Sequence, residues 1–451
     1  MSFVAETLAQ YIRAFTISDM FPSTRYKISD LAIDLVGAAA AGFPSDPARA
    51  TRAVAGDIFQ AGQSSVWFTD RRLTSCAAGF ANSAAASAMD VDDGHREAIG
   101  HPGAPIISAV LAEGESLSSG EERLACAIAI GYEIGIRIAA AQANRIDRHE
   151  YATGRWASIA VAASVGFLRG LDEVALAQSL AIAGTHRACQ IPSGASRQLG
   201  QVKEGIAWST LNGFLAVSLA EQGVTASLDI FDIPALFDVQ AITAGLGTGL
   251  KVDAAYTKPY SCCRWIHAAI DALLILMDAN QVAAEDVEAV IVHTIGPAAR
   301  LNNKTSPSSH FEAQFSVPYC LAVAALEGAG SLLAPDMGDM NDRRRIVFAQ
   351  KVRVKIDPVL DGLFPGRTAA RVELVTRHQT IEQQVDFPKG DAMNPMKRIE
   401  IVEKFRTLAR YGLDRETAER VCSSVASDGN VTLSAILKIA ASSSSTEVVA
   451  R

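Results

Sequence analysis

Aromatic side chains supply only 6% of this 451-residue chain and charged ones only 20%, whereas hydrophobic residues reach 49%. A core with few rings must be filled by small and aliphatic side chains. Such side chains let helices approach closely, so the interior expected is one of tightly packed helices. Positive charge is in deficit: 41 Lys and Arg against 49 Asp and Glu leave a net charge of −8. That argues against a general affinity for nucleic acid or anionic membrane, while leaving room for a locally basic pocket. The seven cysteines are odd in number and scattered (Cys76, Cys126, Cys189, Cys262, Cys263, Cys320, Cys422). They read as reduced core thiols. Only Cys262 and Cys263 lie close together, and adjacent cysteines cannot supply the spaced thiolates of a zinc or iron–sulfur site, so no metal is expected. A phosphate-binding glycine loop between strand and helix is lacking, as is a nucleophile elbow, and no cofactor is expected. The N-terminal MSFVAETLAQYIRAF has an early acidic residue and no basic stretch leading into an apolar run, and no uncharged run reaches the roughly 18 residues of a membrane span. The cytoplasm is the expected compartment, with no membrane partner.

What is there is mostly helix. A chain of this length divides into two domains more readily than it builds one core. From Ala5 to about Ala255 helical segments follow one another, many opened by Ser, Asp or Pro and closed by Gly. Beyond CRWIHAAIDALLILMDA the texture changes to DVEAVIVHTI, KVRVKID and RVELVTRHQTIEQQVDF, whose alternation and β-branched content read as strands. IEIVEKFRTLARYG returns to helix. The expected fold is mainly α with a smaller α/β domain: a large all-helical domain over 1–265, an α/β lid domain over 266–392, and C-terminal helices over 393–451 that return to the helical domain.

The densest group of acids and bases is MDVDDGHREAIGHPGAP, Met89 to Pro105, with Asp90, Asp92, Asp93, His95 and His101. It follows CAAGFANSAAASAM, a stretch too Ala-rich and uncharged for a surface helix, so the cluster emerges from the interior. Four other segments join polar groups to Gly or Pro punctuation. They are HEYATGRW (His149, Tyr151, Arg155), GQVKEG (Lys203), KPYSCCRWIH (Lys258, Tyr260, Arg264, His267) and HFEAQFSVPY (His310, Gln314, Tyr319). Together these residue types suit a small polycarboxylate, with Lys and Arg to hold carboxylates and His, Asp or Tyr to move protons. Plainer readings stand beside each. Asp90 could end a helix, Asp92 and Asp93 could cap the turn or hold Asp90 and His101, and His95 could be a solvated loop residue. His267 could be a satisfied core histidine and Tyr319 an ordinary core aromatic. Lys203 is harder to dismiss, since a cation at the start of an apolar helix opposes the helix dipole and asks for an anion.

At these same segments the chain resembles the MmgE/PrpD family of 2-methylcitrate dehydratase and its relatives, which include cis-aconitate decarboxylases and iminodisuccinate epimerases. The motifs that carry the resemblance run in order along nearly the whole chain. They are Asn82 to Asp90 with Asp-x-Asp-Asp and His-Pro, a Gly-aromatic segment after Tyr151, Gly-x-x-x-Lys, Lys-Pro-Tyr-x-x-Cys-x-x-x-His, Ala-x-Phe-Ser-x-x-Tyr and FPKGDAMNP. The resemblance implies a cofactor-free homodimer with its site between the helical and α/β domains. It implies catalytic positions at Asp90, His101, Tyr151, Lys203 and His267, with Arg155, Trp156, Lys258, Arg264 and Tyr319 around the substrate. Where the family reads Gly-aromatic-His, this chain has Gly154, Arg155 and Trp156, and the Asp93 to His101 loop is slightly longer. The activity implied is that of a lyase on a small polycarboxylate, first the dehydration or hydration of a 2-methylcitrate-like substrate. The alternatives are an epimerase, a cis-aconitate-type decarboxylase, or a non-catalytic polycarboxylate binder.

Overall fold

The computed structural model describes residues 2–187, 200–333, 338–427 and 432–442. Among the helices of the N-terminal part are α1 (Pro22–Gly42), α2 (Ser75–Ser87), α3 (Gly103–Ser116), α4 (Glu121–Ala141), α5 (Ala157–Arg169) and α6 (Ile206–Glu221). Helix α2 packs against α1, α3 and α6, while α5 packs against α4 and α6. The scarcity of rings is answered by alanine: Ala38 to Ala41 of α1 and Ala77, Ala78, Ala81, Ala85 and Ala86 of α2 are all buried. A Cβ on Gly42 would run into the carbonyl oxygen of Ala85, which is how close the two helices come. Helix α4 is long and apolar enough to cross a membrane, yet its residues Leu124 to Ala139 are all buried among neighbouring helices.

One departure from the helical reading lies in this part. Strands β1 (Ala61–Ser65) and β2 (Arg72–Leu73) pair antiparallel. The pair is too short to leave an alternating pattern in the sequence. It is held instead by tertiary bonds to α3, from Ser64 Oγ to Ala112 O and from the Ser65 backbone and hydroxyl to Glu115.

The C-terminal part carries a four-stranded sheet of β3 (Val287–Thr294), β4 (Val352–Ile356), β5 (Ala370–Thr376) and β6 (Thr380–Val385), in the order β4-β3-β5-β6. The β3/β4 pair is parallel and the β3/β5 and β5/β6 pairs are antiparallel. Helix α7 (Arg264–Ala279) lies against β5 and β6 and also packs on α8 (Val317–Glu327). Val290, Val292, Val372 and Leu374 fill the space beneath α7 and α8. Helix α9 (Arg398–Ala409) leaves this sheet and packs on α1, where Lys404 forms a buried ion pair with Asp34 and donates to Val91 O. The fold is therefore mainly α with a smaller α/β region.

Two links tie the parts together at the acidic cluster. Gly94 and Tyr256 exchange backbone hydrogen bonds in an antiparallel bridge, and Thr257 N donates to Gly390 O. The loop after α2, the strand-like approach to α7 and the FPKGDAMNP loop are thus stitched side by side.

Candidate active site

Asp90 is the centre of the arrangement. It follows α2 in a left-handed conformation, φ 52°, which costs a non-glycine residue about 1–3 kcal/mol and turns its carboxylate away from the helix it leaves. Its Oδ1 accepts from Lys203 Nζ at 2.5 Å and Lys258 Nζ at 3.0 Å, and His101 Nε2 stands 3.4 Å away. Lys258 also donates to the Asp90 carbonyl at 2.9 Å. Asp90, His101 and Lys258 are buried, Lys258 only 1% exposed, and Lys203 is partly buried. Burial alone would raise the pKa of Asp90, but the combined charges of Lys203, Lys258 and His101 outweigh it and hold the carboxyl well below the usual carboxylate range. Oδ2 of Asp90 has no hydrogen-bond partner among the described residues.

His101 sits between carboxylates. Its Nδ1 faces Asp92 Oδ2 at 3.1 Å, and its Nε2 points to Asp90 and, at 3.7 Å, to Glu204 Oε1. Burial would lower its pKa, but Asp92 first and Glu204 after it raise it above the ordinary imidazole value. Asp92 therefore fixes the Nδ1–H tautomer and orientation, and Nε2 is left as the proton-moving atom. Asp93 supports the loop from behind: it accepts from Gly103 N and from Tyr132 Oη at 2.6 Å. Burial pushes its pKa up to about 7. Lys258 would be neutralised by burial, yet the Asp90 charge keeps its pKa raised.

All five segments singled out in the sequence reach this centre or its frame, two of them through residues other than those expected. From HEYATGRW it is Thr153 that arrives, accepting from His101 N at 3.0 Å and donating its hydroxyl to Glu204 Oε2 at 2.7 Å. From HFEAQFSVPY it is Phe315, whose ring lies 4.9 Å from Lys203 Nζ. Glu204 was missed altogether. Its only sequence signal was its place beside Lys203, and its left-handed backbone, φ 47°, turns it back to bind the Thr153 backbone and hydroxyl.

Three residues expected around the substrate take other partners here. Trp156 is fully buried in the helical core, against Gly100 and Gly135, and forms no open wall. Arg155 turns to Glu150 at 2.9 Å and Gln142 at 3.1 Å, away from Asp90. Tyr319 is buried on α8, with its hydroxyl 3.4 Å from Arg345, which is paired to Glu327. His95, read as a solvated residue, is 1% exposed, and burial lowers its pKa to about 4.

The remaining expected residues His267, Arg264 and Tyr151 are all buried. His267 is buried with both ring nitrogens engaged. Because Arg264 can only donate and Cys262 O can only accept, Nε2 carries the hydrogen and donates to Cys262 O at 3.1 Å, while Nδ1 accepts from Arg264 at 3.2 Å. Burial, together with the Arg264 and Lys258 charges, keeps this ring neutral. Arg264 in turn is fixed by the Pro388 and Lys389 carbonyls, by Asp391 at 3.5 Å and by the Tyr256 ring at 4.5 Å. Tyr151 is buried against the rings of Trp265 and Phe364. Cys189 lies outside the described residues.

Asp90, Asp92 and His101 bring their ligand atoms within 4.8 Å of one another, close enough for a metal ion. Two ammonium groups already occupy Asp90 Oδ1, and their repulsion makes the group a poor cation site. Buried ammoniums beside a charged imidazole suit an anionic ligand that can share them.

The MmgE/PrpD N-terminal domain matches residues 6–244 and the MmgE/PrpD C-terminal domain matches residues 260–427. A cis-aconitate decarboxylase of Aspergillus terreus is 26% identical over 386 residues, covering 78% of each chain. The cis-aconitate decarboxylase of Aspergillus terreus strain NIH 2624 / FGSC A1156 is 26% identical over 387 residues, again 78% of each. With both of its halves matched in order, the chain belongs to the MmgE/PrpD family.

Proposed function

We propose that this protein is a lyase acting on a small polycarboxylate, with its own side chains carrying the proton transfers. The observation that carries the reading is the shared oxygen of Asp90: Lys203, Lys258 and His101 converge on Oδ1 while Oδ2 has no partner among the described residues. A substrate carboxylate competes for Lys203 and Lys258, and as the ammoniums turn to it Asp90 loses the charges that keep it a weak base. In dehydration of a 2-methylcitrate-like substrate, Asp90 Oδ2 then takes the proton α to a carboxylate. His101 Nε2–H protonates the departing hydroxyl, and the ammoniums hold the aci-carboxylate charge. The C–H and C–O bonds break, the alkene forms and water leaves.

A second reading is favoured by the two relatives named for cis-aconitate decarboxylation. Decarboxylation uses the same ammonium pair to hold the charge left by CO₂, and His101 to protonate the carbon; it needs no separate base. Epimerisation would need two proton-transfer groups on opposite faces, and Tyr151 would have to supply one. Under either lyase reading the protein acts as a homodimer in the cytoplasm, a compartment that suits the six free thiols of the described residues.

The test is proton NMR in D₂O with 2-methylcitrate, citrate, cis-aconitate and iminodisuccinate. An alkene formed from a hydroxy acid supports dehydration, and an itaconate-like product supports decarboxylation. Deuterium entering the α-carbon with no group lost would overturn the lyase reading. Lys203→Ala should abolish turnover and binding together, and retained activity would remove Lys203 from the clamp.

A further inference from the structure

A second polar cleft lies behind the loops that carry His101 and Thr153, lined by Gln142, Arg145, Arg148, Glu150, Arg155 and Arg187, with a cavity of about 40 Å³. Four guanidiniums face one carboxylate there, in a chain whose net charge is −8. Two of the lining side chains are buried with donors unused. Arg145 is 8% exposed, and although its Nη2 donates to Glu97 O at 2.6 Å, its Nη1 has no partner among the described residues. Gln142 is 6% exposed; its Oε1 accepts from Arg155, leaving Nε2 without a partner. A buried donor left unmade costs about 1–3 kcal/mol, more when charged, and two at one cleft are best explained by an acceptor that binds them.

We propose that this cleft is an anion site for a small oxyanion, a phosphate or a single carboxylate group, held by Arg145 Nη1 and Gln142 Nε2 with Arg148 at the mouth. The chemistry fits on three counts. Guanidinium forks match planar or tetrahedral oxyanions, the free donors are nitrogen atoms only, and the unfilled space admits one small group. The site is separate from Asp90 but mechanically close to it. Arg145 holds the carbonyl of Glu97, within the loop that ends at His101, and Gln142 holds Arg155, two residues from Thr153, which accepts from His101 N. An oxyanion there braces both loops from behind.

The test is isothermal titration calorimetry of the full chain with inorganic phosphate and, separately, acetate, in wild type and three variants. Lys203→Ala, which disarms the Asp90 cluster, should bind phosphate as wild type does, so a failure of the lyase reading leaves this result untouched. Arg145→Gln should lose binding by at least tenfold. Arg148→Gln, at an exposed position where folding is not at stake, should weaken it about threefold to tenfold, whereas Arg353→Gln, an exposed residue on β4 with the same loss of charge, should not. Binding of phosphate with no response to acetate identifies a phosphate site, and the reverse a carboxylate site. No saturable binding of either anion to wild type, or binding unchanged in both Arg145→Gln and Arg148→Gln, would overturn the proposal.

Discussion

Replacing Asp90 by Asn removes one charge from beneath three positive groups. Lys203 and Lys258 stand 2.5 and 3.0 Å from the oxygen they share. At an effective dielectric of about 20 each attraction is roughly 5–7 kcal/mol before desolvation is subtracted. Lys258, 1% exposed, cannot reach water when its partner is lost, and breaking a buried pair from one side costs about 3–5 kcal/mol. The amide oxygen can still accept one hydrogen bond, so the expected loss is at the lower end, about 3 kcal/mol. Urea unfolding at pH 7 should show it as a lower midpoint at unchanged slope. Adding Lys258→Met to Asp90→Asn should restore part of the loss, giving a coupling of at least about 1 kcal/mol in the double-mutant cycle. The sign with pH follows from the depressed pKa of Asp90. Its contribution is present above the unfolded value of about 3.9 and is lost as pH falls through the folded one, so wild type and Asp90→Asn should converge in acid. A loss below about 1 kcal/mol at pH 7, with no coupling to Lys258, would refute the view that this carboxylate anchors the ammoniums.

Other consequences are open to simple measurement. The raised pKa of His101 favours its protonated form; its stability contribution is full below about 6.5 and lost as pH rises through the folded value. The basic limb of kcat/KM should therefore lie above pH 6.5 and move to lower pH in Asp92→Asn. Tyr132→Phe removes the 2.6 Å bond to Asp93 and should cost about 1–3 kcal/mol by urea unfolding. Asp93 itself, pushed up to about 7, contributes stability below about pH 3.9 that is lost as pH rises through about 7, a slope that Asp93→Asn should flatten. Trp156→His, which puts an imidazole where the resembled family carries one, should cost about 3–5 kcal/mol, because it leaves a cavity against Gly135 and buries a polar ring in the core. A neutral result there would mean that Trp156 is not a core residue.

Much was legible along the chain because the relevant physics is local. The alanine-rich runs of α1 and α2 could only be buried helices, the alternation in Val287–Thr294 and Ala370–Thr376 could only be half-buried strands, and the acid/base crowd from Asp90 to His101 marked the candidate site before any contact was known. Even the cation at Lys203, set against a helix dipole, announced an anion. What the chain could not show is which member of each segment turns inward. That choice depends on backbone signs such as the left-handed turns at Asp90 and Glu204, and on pairings between residues more than 100 positions apart. Lys203 and Lys258 share an oxygen with Asp90 only because Gly94 is bridged to Tyr256 and α6 packs on α2. Glu204 gained its place by reaching back to Thr153, and Arg155, its neighbour but one, was turned outward to Glu150 and Gln142. Composition and periodicity determined the layers and the chemical repertoire. Tertiary packing decided the charge state of each group, because only the three-dimensional neighbours of a buried carboxylate determine whether it is held ionised, as Asp90 is, or pushed toward neutrality, as Asp93 is.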